Sequence, residues 1–176
     1  MRRLLDCRGT PDGDDITGTD RAETILAEKG RDAVTALDGP DVVHGDLGND
    51  EADGGLGNDQ VLGEDGDDQQ GASEAGLGTG LYGNNGADRV SGGPGADDVT
   101  GGPGRDKLYG GDNYDILDSA DGLRDDIVTC GPGRDIAFVD RADIRGDRVK
   151  HCEEVRRIAT ASLTAEQYRA ADAALR

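Results

Sequence analysis

The chain has 176 residues, enough for one domain and short for two, with a formal net charge of −19, 30 glycines, 3% aromatic residues and no Trp. Its acidic residues comprise 30 Asp and only 8 Glu, a bias toward the shorter carboxylate that a merely solvated surface does not require. Such charge repels nucleic acid and anionic membrane surfaces and favours divalent cations. No apolar run approaches the roughly 18 residues of a membrane span.

The opening, Met1-Arg2-Arg3-Leu4-Leu5-Asp6, is basic but lacks an apolar segment of signal-peptide length. If the protein is exported, its signal is missing here or lies elsewhere. Cys7 stands nine residues before Ile16 and reads as a small buried hydrophobe. From Gly9 the chain falls into seven consecutive nonamers ending at Gly71. A second array of five begins at Glu74, and two more, 121–129 and 130–138, follow a two-residue slip at Ser119-Ala120.

Two slots of the nonamer carry the signal. The sixth is Asp14, Asp32, Asp41, Asp50, Asp59, Asp68, Asp88, Asp97, Asp106, Asp115, Asp126 and Asp135, with Glu23 and Thr79 as exceptions. The eighth is apolar from Ile16 to Ala137, except at Gln70. Alternation makes slots seven to nine a short strand with slot eight inward and its neighbours outward. On this reading the slot-eight aliphatic is the whole core contribution of each repeat.

The segments GGLGNDQVL (54–62), GGPGADDVT (92–100) and GGPGRDKLY (101–109) resemble the hemolysin-type (RTX) calcium-binding repeat, a parallel β-helix repeat. The resemblance covers roughly residues 9–138 and is looser before residue 45. It implies an all-β fold, a right-handed parallel β-roll (a β-helix solenoid) with two nonamers per turn. Calcium would sit between loops on the same side, two repeats apart. The roll is expected over 1–138, with a seam near 69–82, a C-terminal cap over 139–161 and a short helix or tail over 162–176.

Calcium takes 6–8 oxygen ligands from carboxylates and carbonyls. A short carboxylate on a tight loop reaches such a site, and glycine at slots one, two and four allows the loop to curl. Asn113, at slot four of its nonamer, tolerates the left-handed conformation. Partners two repeats apart are 18 residues apart, which gives six pairs: Asp14–Asp32, Asp32–Asp50, Asp41–Asp59, Asp50–Asp68, Asp88–Asp106 and Asp97–Asp115. These ten Asp are the candidate metal ligands, for about six Ca2+ ions. Glu23–Asp41 shares the spacing but has a longer side chain and Arg21 in place of a loop glycine. Asp50 serves two pairs and Asp115 one, so Asp50 is expected to matter more.

Residues 69–82 break the pattern: Gln70 takes an inward slot, Ala72-Ser73 are extra and Thr79 replaces a carboxylate. After 139 glycine thins and Arg/Lys become common, which suits a cap over the end of a solenoid. Cys130 and Cys152 are expected to bridge, leaving Cys7 out. In 162–176, Thr164 and Gln167 can form a capping box and Leu163 can staple to Tyr168, and either a docked helix or a frayed tail fits. Catalytic patterns are lacking: only His44 and His151 are present, and Gly71-Ala72-Ser73-Glu74-Ala75 resembles a nucleophile elbow but ends in Ala. The expected protein is therefore a secreted, extracellular calcium-binding module, not an enzyme, that folds on calcium. The alternatives are a structural or adhesive surface protein using the roll as a spacer, or an accessory fragment of a secreted enzyme or toxin. Neither nucleic acid nor membrane insertion is expected.

Overall fold

The alternation becomes strands wherever one aliphatic can point inward between two outward neighbours. The computed structural model describes residues 5–66, 68, 80–122, 126–140 and 148–158. In chain order the strands begin β1 (Leu5–Arg8), β2 (Asp15–Thr17), β3 (Glu23–Leu26), β4 (Lys29–Gly30), β5 (Ala33–Thr35) and β6 (Val42–His44). They continue as β7 (Leu47–Gly48), β8 (Glu51–Asp53), β9 (Gln60–Leu62), β10 (Leu81–Tyr82), β11 (Arg89–Pro94) and β12 (Asp98–Thr100). The last six are β13 (Lys107–Asp112), β14 (Ile116–Asp118), β15 (Ile127–Thr129), β16 (Ile136–Asp140), β17 (Arg148–Lys150) and β18 (Glu154–Ile158).

Two parallel eight-stranded sheets result. The first runs β1-β3-β6-β9-β11-β13-β15-β17 and the second β2-β5-β8-β10-β12-β14-β16-β18, so successive full-length strands alternate between sheets. This is a β-solenoid, the parallel β-roll expected from the repeat. Loops stack as well, most regularly where β4 pairs with β7. Residues 139–161, expected as a cap, contribute the final strand of each sheet. The helix expected over 162–176 lies outside the described residues.

The core is a ladder of slot-eight side chains. Ile25, Val43, Val61, Val90, Leu108 and Val128 stack in the first sheet and are fully buried. Each such burial contributes about 1.5–3 kcal/mol. Slot one also faces inward, contrary to the expectation of one inward aliphatic per repeat: Ala27, Ala36 and Cys130 belong to the same core. Inward orientation simply continues by twos from slot six through slot eight to slot one. Cys7 packs half-buried against this core beside Ile25.

At the C-terminal end both faces of the second sheet are buried, and Ile116, Ile136, Phe138 and Ile158 form a separate outer apolar cluster. Cys130 and Cys152 form the expected disulfide, with Cα atoms 5.1 Å apart.

The seam resolves into an interruption of one repeat. Ala52 of β8 pairs with Leu81 of β10, and Val61 of β9 with Val90 of β11, each 29 residues along instead of 18. Leu81 thus occupies the inward position expected for Gln70, and Asp68 occupies the loop position expected for Thr79. The sequence reading gave one interrupted nonamer twice, as 63–71 and as 74–82. Gln70 and Thr79 themselves lie outside the described residues.

Candidate metal centre

The slot-six residues stand at the ends of loops and face inward; all lie immediately before a strand except Glu23, which opens β3, and Asp68, which precedes the interruption before β10. Loops entering the second sheet carry Asp14, Asp32, Asp50, Asp68, Asp97, Asp115 and Asp135. Loops entering the first carry Glu23, Asp41, Asp59, Asp88, Asp106 and Asp126. All of these are buried except Asp14, at the N-terminal edge, which is half-buried.

The two rows are continuous hydrogen-bonded ladders. In the first row the amide N–H of Asp14 donates to Oδ1 of Asp32 (2.8 Å), Asp32 to Asp50 (2.9 Å) and Asp50 to Asp68 (2.8 Å). It continues from Asp68 to Asp97 (2.9 Å), Asp97 to Asp115 (3.0 Å) and Asp115 to Asp135 (3.0 Å). In the second row Glu23 donates to Asp41 (2.8 Å), Asp41 to Asp59 (2.8 Å), Asp59 to Asp88 (2.7 Å), Asp88 to Asp106 (2.9 Å) and Asp106 to Asp126 (2.8 Å). All six pairs expected at 18-residue spacing are therefore neighbours on a ladder. Fixed spacing overlooked the steps of 20 that follow the Ser119-Ala120 slip and the steps of 29 across the seam. It consequently left out Asp126 and Asp135. Glu23, doubted for its length, sits in the ladder with its carboxylate turned back to accept from the Thr19 amide (2.7 Å).

One oxygen of each carboxylate is thus satisfied. The other is not: Oδ2 of Asp32, Asp41, Asp50, Asp59, Asp88, Asp106, Asp115 and Asp135 is buried without a hydrogen-bond partner. A buried, unsatisfied carboxylate oxygen is costly, and a file of them repels itself, unless a cation intervenes. Burial accordingly pushes these groups upward. It is the largest cause at Asp115, raised to about 9, where the Asp97 charge adds to it. Burial also leads at Asp59 and Asp106, each raised to about 7, and at Asp50 and Asp135, each raised to about 6; the amide of the preceding turn's Asp works against it.

The glycines explain where a cation fits. Slot one needs glycine for space, and its backbone angle is ordinary, which corrects the expectation that all three glycines serve the turn. A Cβ on Gly45 would meet Oδ2 of Asp50 at 2.8 Å and the Gly63 carbonyl oxygen of the next turn at 2.5 Å. A Cβ on Gly83 would meet Oδ2 of Asp88 at 2.8 Å and the Gly101 carbonyl oxygen at 2.7 Å. A carboxylate and a carbonyl from adjacent turns therefore converge beside each such glycine. Slots two and four bend the loop instead, with φ of 94° at Gly102, 143° at Gly48 and 91° at Asn113. Among the described residues no three His, Cys, Asp or Glu side chains gather as a metal cluster. A cation held here takes its side-chain ligands from the ladder and fills its shell with carbonyls, the oxygen-only donor set that suits calcium.

A parallel solenoid with two ladders of buried carboxylates on glycine loops is a repeat-built cation-binding protein. The chain matches the family model described as RTX calcium-binding nonapeptide repeat in four copies, three overlapping over residues 9–43, 17–52 and 35–69 and a separate one over 82–117, and it belongs to that family. The repeats imply calcium as the cation. No curated protein and no solved structure matches the chain.

Proposed function

We propose that the protein is a calcium-binding module whose roll forms when calcium fills the two ladders. The observation that carries this reading is the file of buried Oδ2 atoms facing carbonyls without a proton donor. Calcium would convert that repulsion into coordination, and binding to the folded state alone drives folding by mass action. The ten Asp from Asp14 to Asp115 supply the side-chain ligands. The best-formed steps are those where both turns have glycine at slot one: Asp50–Asp68, Asp68–Asp97 and Asp97–Asp115 in one row, Asp59–Asp88 and Asp88–Asp106 in the other. Ala27 and Ala36 narrow the loops of Asp32 and Asp41, so these fill later. Five strong steps with weaker neighbours agree with about six ions.

The role assigned is structural, with no catalysis. RTX-type repeats are typical of secreted proteins, and the Cys130–Cys152 bridge suits an oxidising compartment. Among the described residues no helix is long and apolar enough to cross a membrane. An extracellular module of this kind binds calcium at about 10⁻⁴–10⁻³ M. Far-UV circular dichroism after chelation, with calcium titrated back, tests the reading. A coil spectrum converting to β in that concentration range supports it; a β spectrum in excess EGTA that calcium leaves unchanged overturns it.

A further inference from the structure

The ladder does not stop with the repeats. The amide N–H of Asp135 donates to Oε2 of Glu153 at 2.8 Å, the geometry of every earlier step, although Glu153 belongs to no nonamer and lies far beyond the family match. Glu153 stands immediately before β18, as every slot-six Asp but Asp68 stands immediately before its strand. The loop leading to it is cut from six residues to three, His151, Cys152 and Glu153, with His151 in the left-handed region at φ 53°. So short a loop cannot wrap a cradle of its own. Cys130 takes slot one of the Asp135 turn, where the best-formed steps have glycine, so this site is weaker than those and fills after them. Two features stand in for the cradle: the longer Glu side chain, and the disulfide from Cys152 to Cys130. The Cys130 amide also donates to the Lys150 carbonyl at 3.0 Å, fixing the register on that side of the bridge.

We propose that Asp135 and Glu153 hold a terminal calcium ion and that the Cys130–Cys152 disulfide positions Glu153 for it. The proposal rests on the calcium reading above. Its own support is the Asp135–Glu153 contact beyond the last repeat, together with Oδ2 of Asp135, which is fully buried and without a hydrogen-bond partner. Glu153 is exposed, so this site opens to solvent at the end of the row and exchanges its ion faster than the interior ones.

Native mass spectrometry of the full oxidised chain in calcium resolves single ions. Glu153→Gln keeps an oxygen to accept the Asp135 amide and preserves the fold, which circular dichroism checks. It should lose one calcium relative to wild type. The Cys130→Ala/Cys152→Ala double variant should lose the same ion, and adding Glu153→Gln to it should remove no more. Glu154→Gln, next door but paired with Arg156 (2.6 Å), should keep the full count. A wild-type count in Glu153→Gln overturns the terminal site, and a wild-type count in the double alanine variant overturns the positioning role. If wild type itself binds no calcium, the broader reading has failed instead.

Discussion

The amide of Asp59 donates to Oδ1 of Asp88 at 2.7 Å across 29 residues of sequence, the same contact its neighbours make across 18. The roll therefore runs unbroken through the seam. Removing residues 69–79 would join Gly63–Asp68 directly to Gly80–Tyr82 and leave GEDGDDGLY, a complete nonamer. The deletion is expected to keep calcium-dependent β structure and to change stability by no more than about 1 kcal/mol, since loop length enters only logarithmically. Denaturant titration in calcium checks this, and loss of the folded transition would show that the interruption is needed.

The ladders also set which carboxylates matter most. Asp115 has Asp97 on one side and Asp135 on the other, so it is an interior position like Asp50, and the contrast expected between the two disappears. Asp50→Asn and Asp115→Asn should each raise the calcium needed for half-maximal folding about tenfold, equivalent to about 1.4 kcal/mol. Asp14→Asn should raise it less than about threefold. Asp14 is at an edge, and its Oδ2 already accepts from the Thr10 amide (2.6 Å) and hydroxyl (2.9 Å). The calcium midpoint of the β signal distinguishes these cases.

The fold was legible because slots six and eight repeat a physical requirement in every turn, a carboxylate at the loop's end and an aliphatic inside. Val61 above Val90 obeys the same rule as Val43 above Val61, although only the latter step is 18 residues long. What the sequence concealed was spacing. A solenoid tolerates loops of any length between strands that stack, so counting by nines missed Asp126 and Asp135 and split one nonamer into two. Glu153 was hidden for a different reason: no glycine loop announces it, and only the stacking of β18 on β16 brings it beneath Asp135.

Backbone strain offers a way to stabilise the roll. Leu37, at slot two, holds φ at 80°, where a bulky side chain crowds its own carbonyl. Leu37→Gly should raise stability by about 0.5–1 kcal/mol after the extra entropy of glycine is counted. The reverse change at the same slot of a later turn, Gly102→Ala, should destabilise by more than about 1 kcal/mol. There φ is 94° and a Cβ would approach the Asn84 carbonyl oxygen at 2.5 Å. Thermal unfolding of both variants in saturating calcium tests the pair. Equal effects of the same sign would mean that slot-two conformation is not what limits the loop.

Protons should substitute for calcium in holding the rows together. Asp50, Asp59, Asp106, Asp115 and Asp135 are raised to about 6, 7, 7, 9 and 6, with burial the leading cause. In the unfolded chain an Asp titrates near 3.9. The calcium-free roll therefore binds more protons than the unfolded chain between those limits, and its stability falls as pH rises. This contribution is fully present below about pH 4 and is lost as pH climbs through 6 to 9. In excess EGTA the chain should gain β structure when taken from pH 8 to pH 5. With calcium present the dependence reverses in sense, because protons compete for the same Oδ2 atoms, and the calcium midpoint should rise on acidification through pH 7 to 6. Circular dichroism across this range, with and without calcium, measures both limbs. A chelated protein that is more folded at pH 8 than at pH 5 would contradict the buried, unsatisfied carboxylates on which the argument rests.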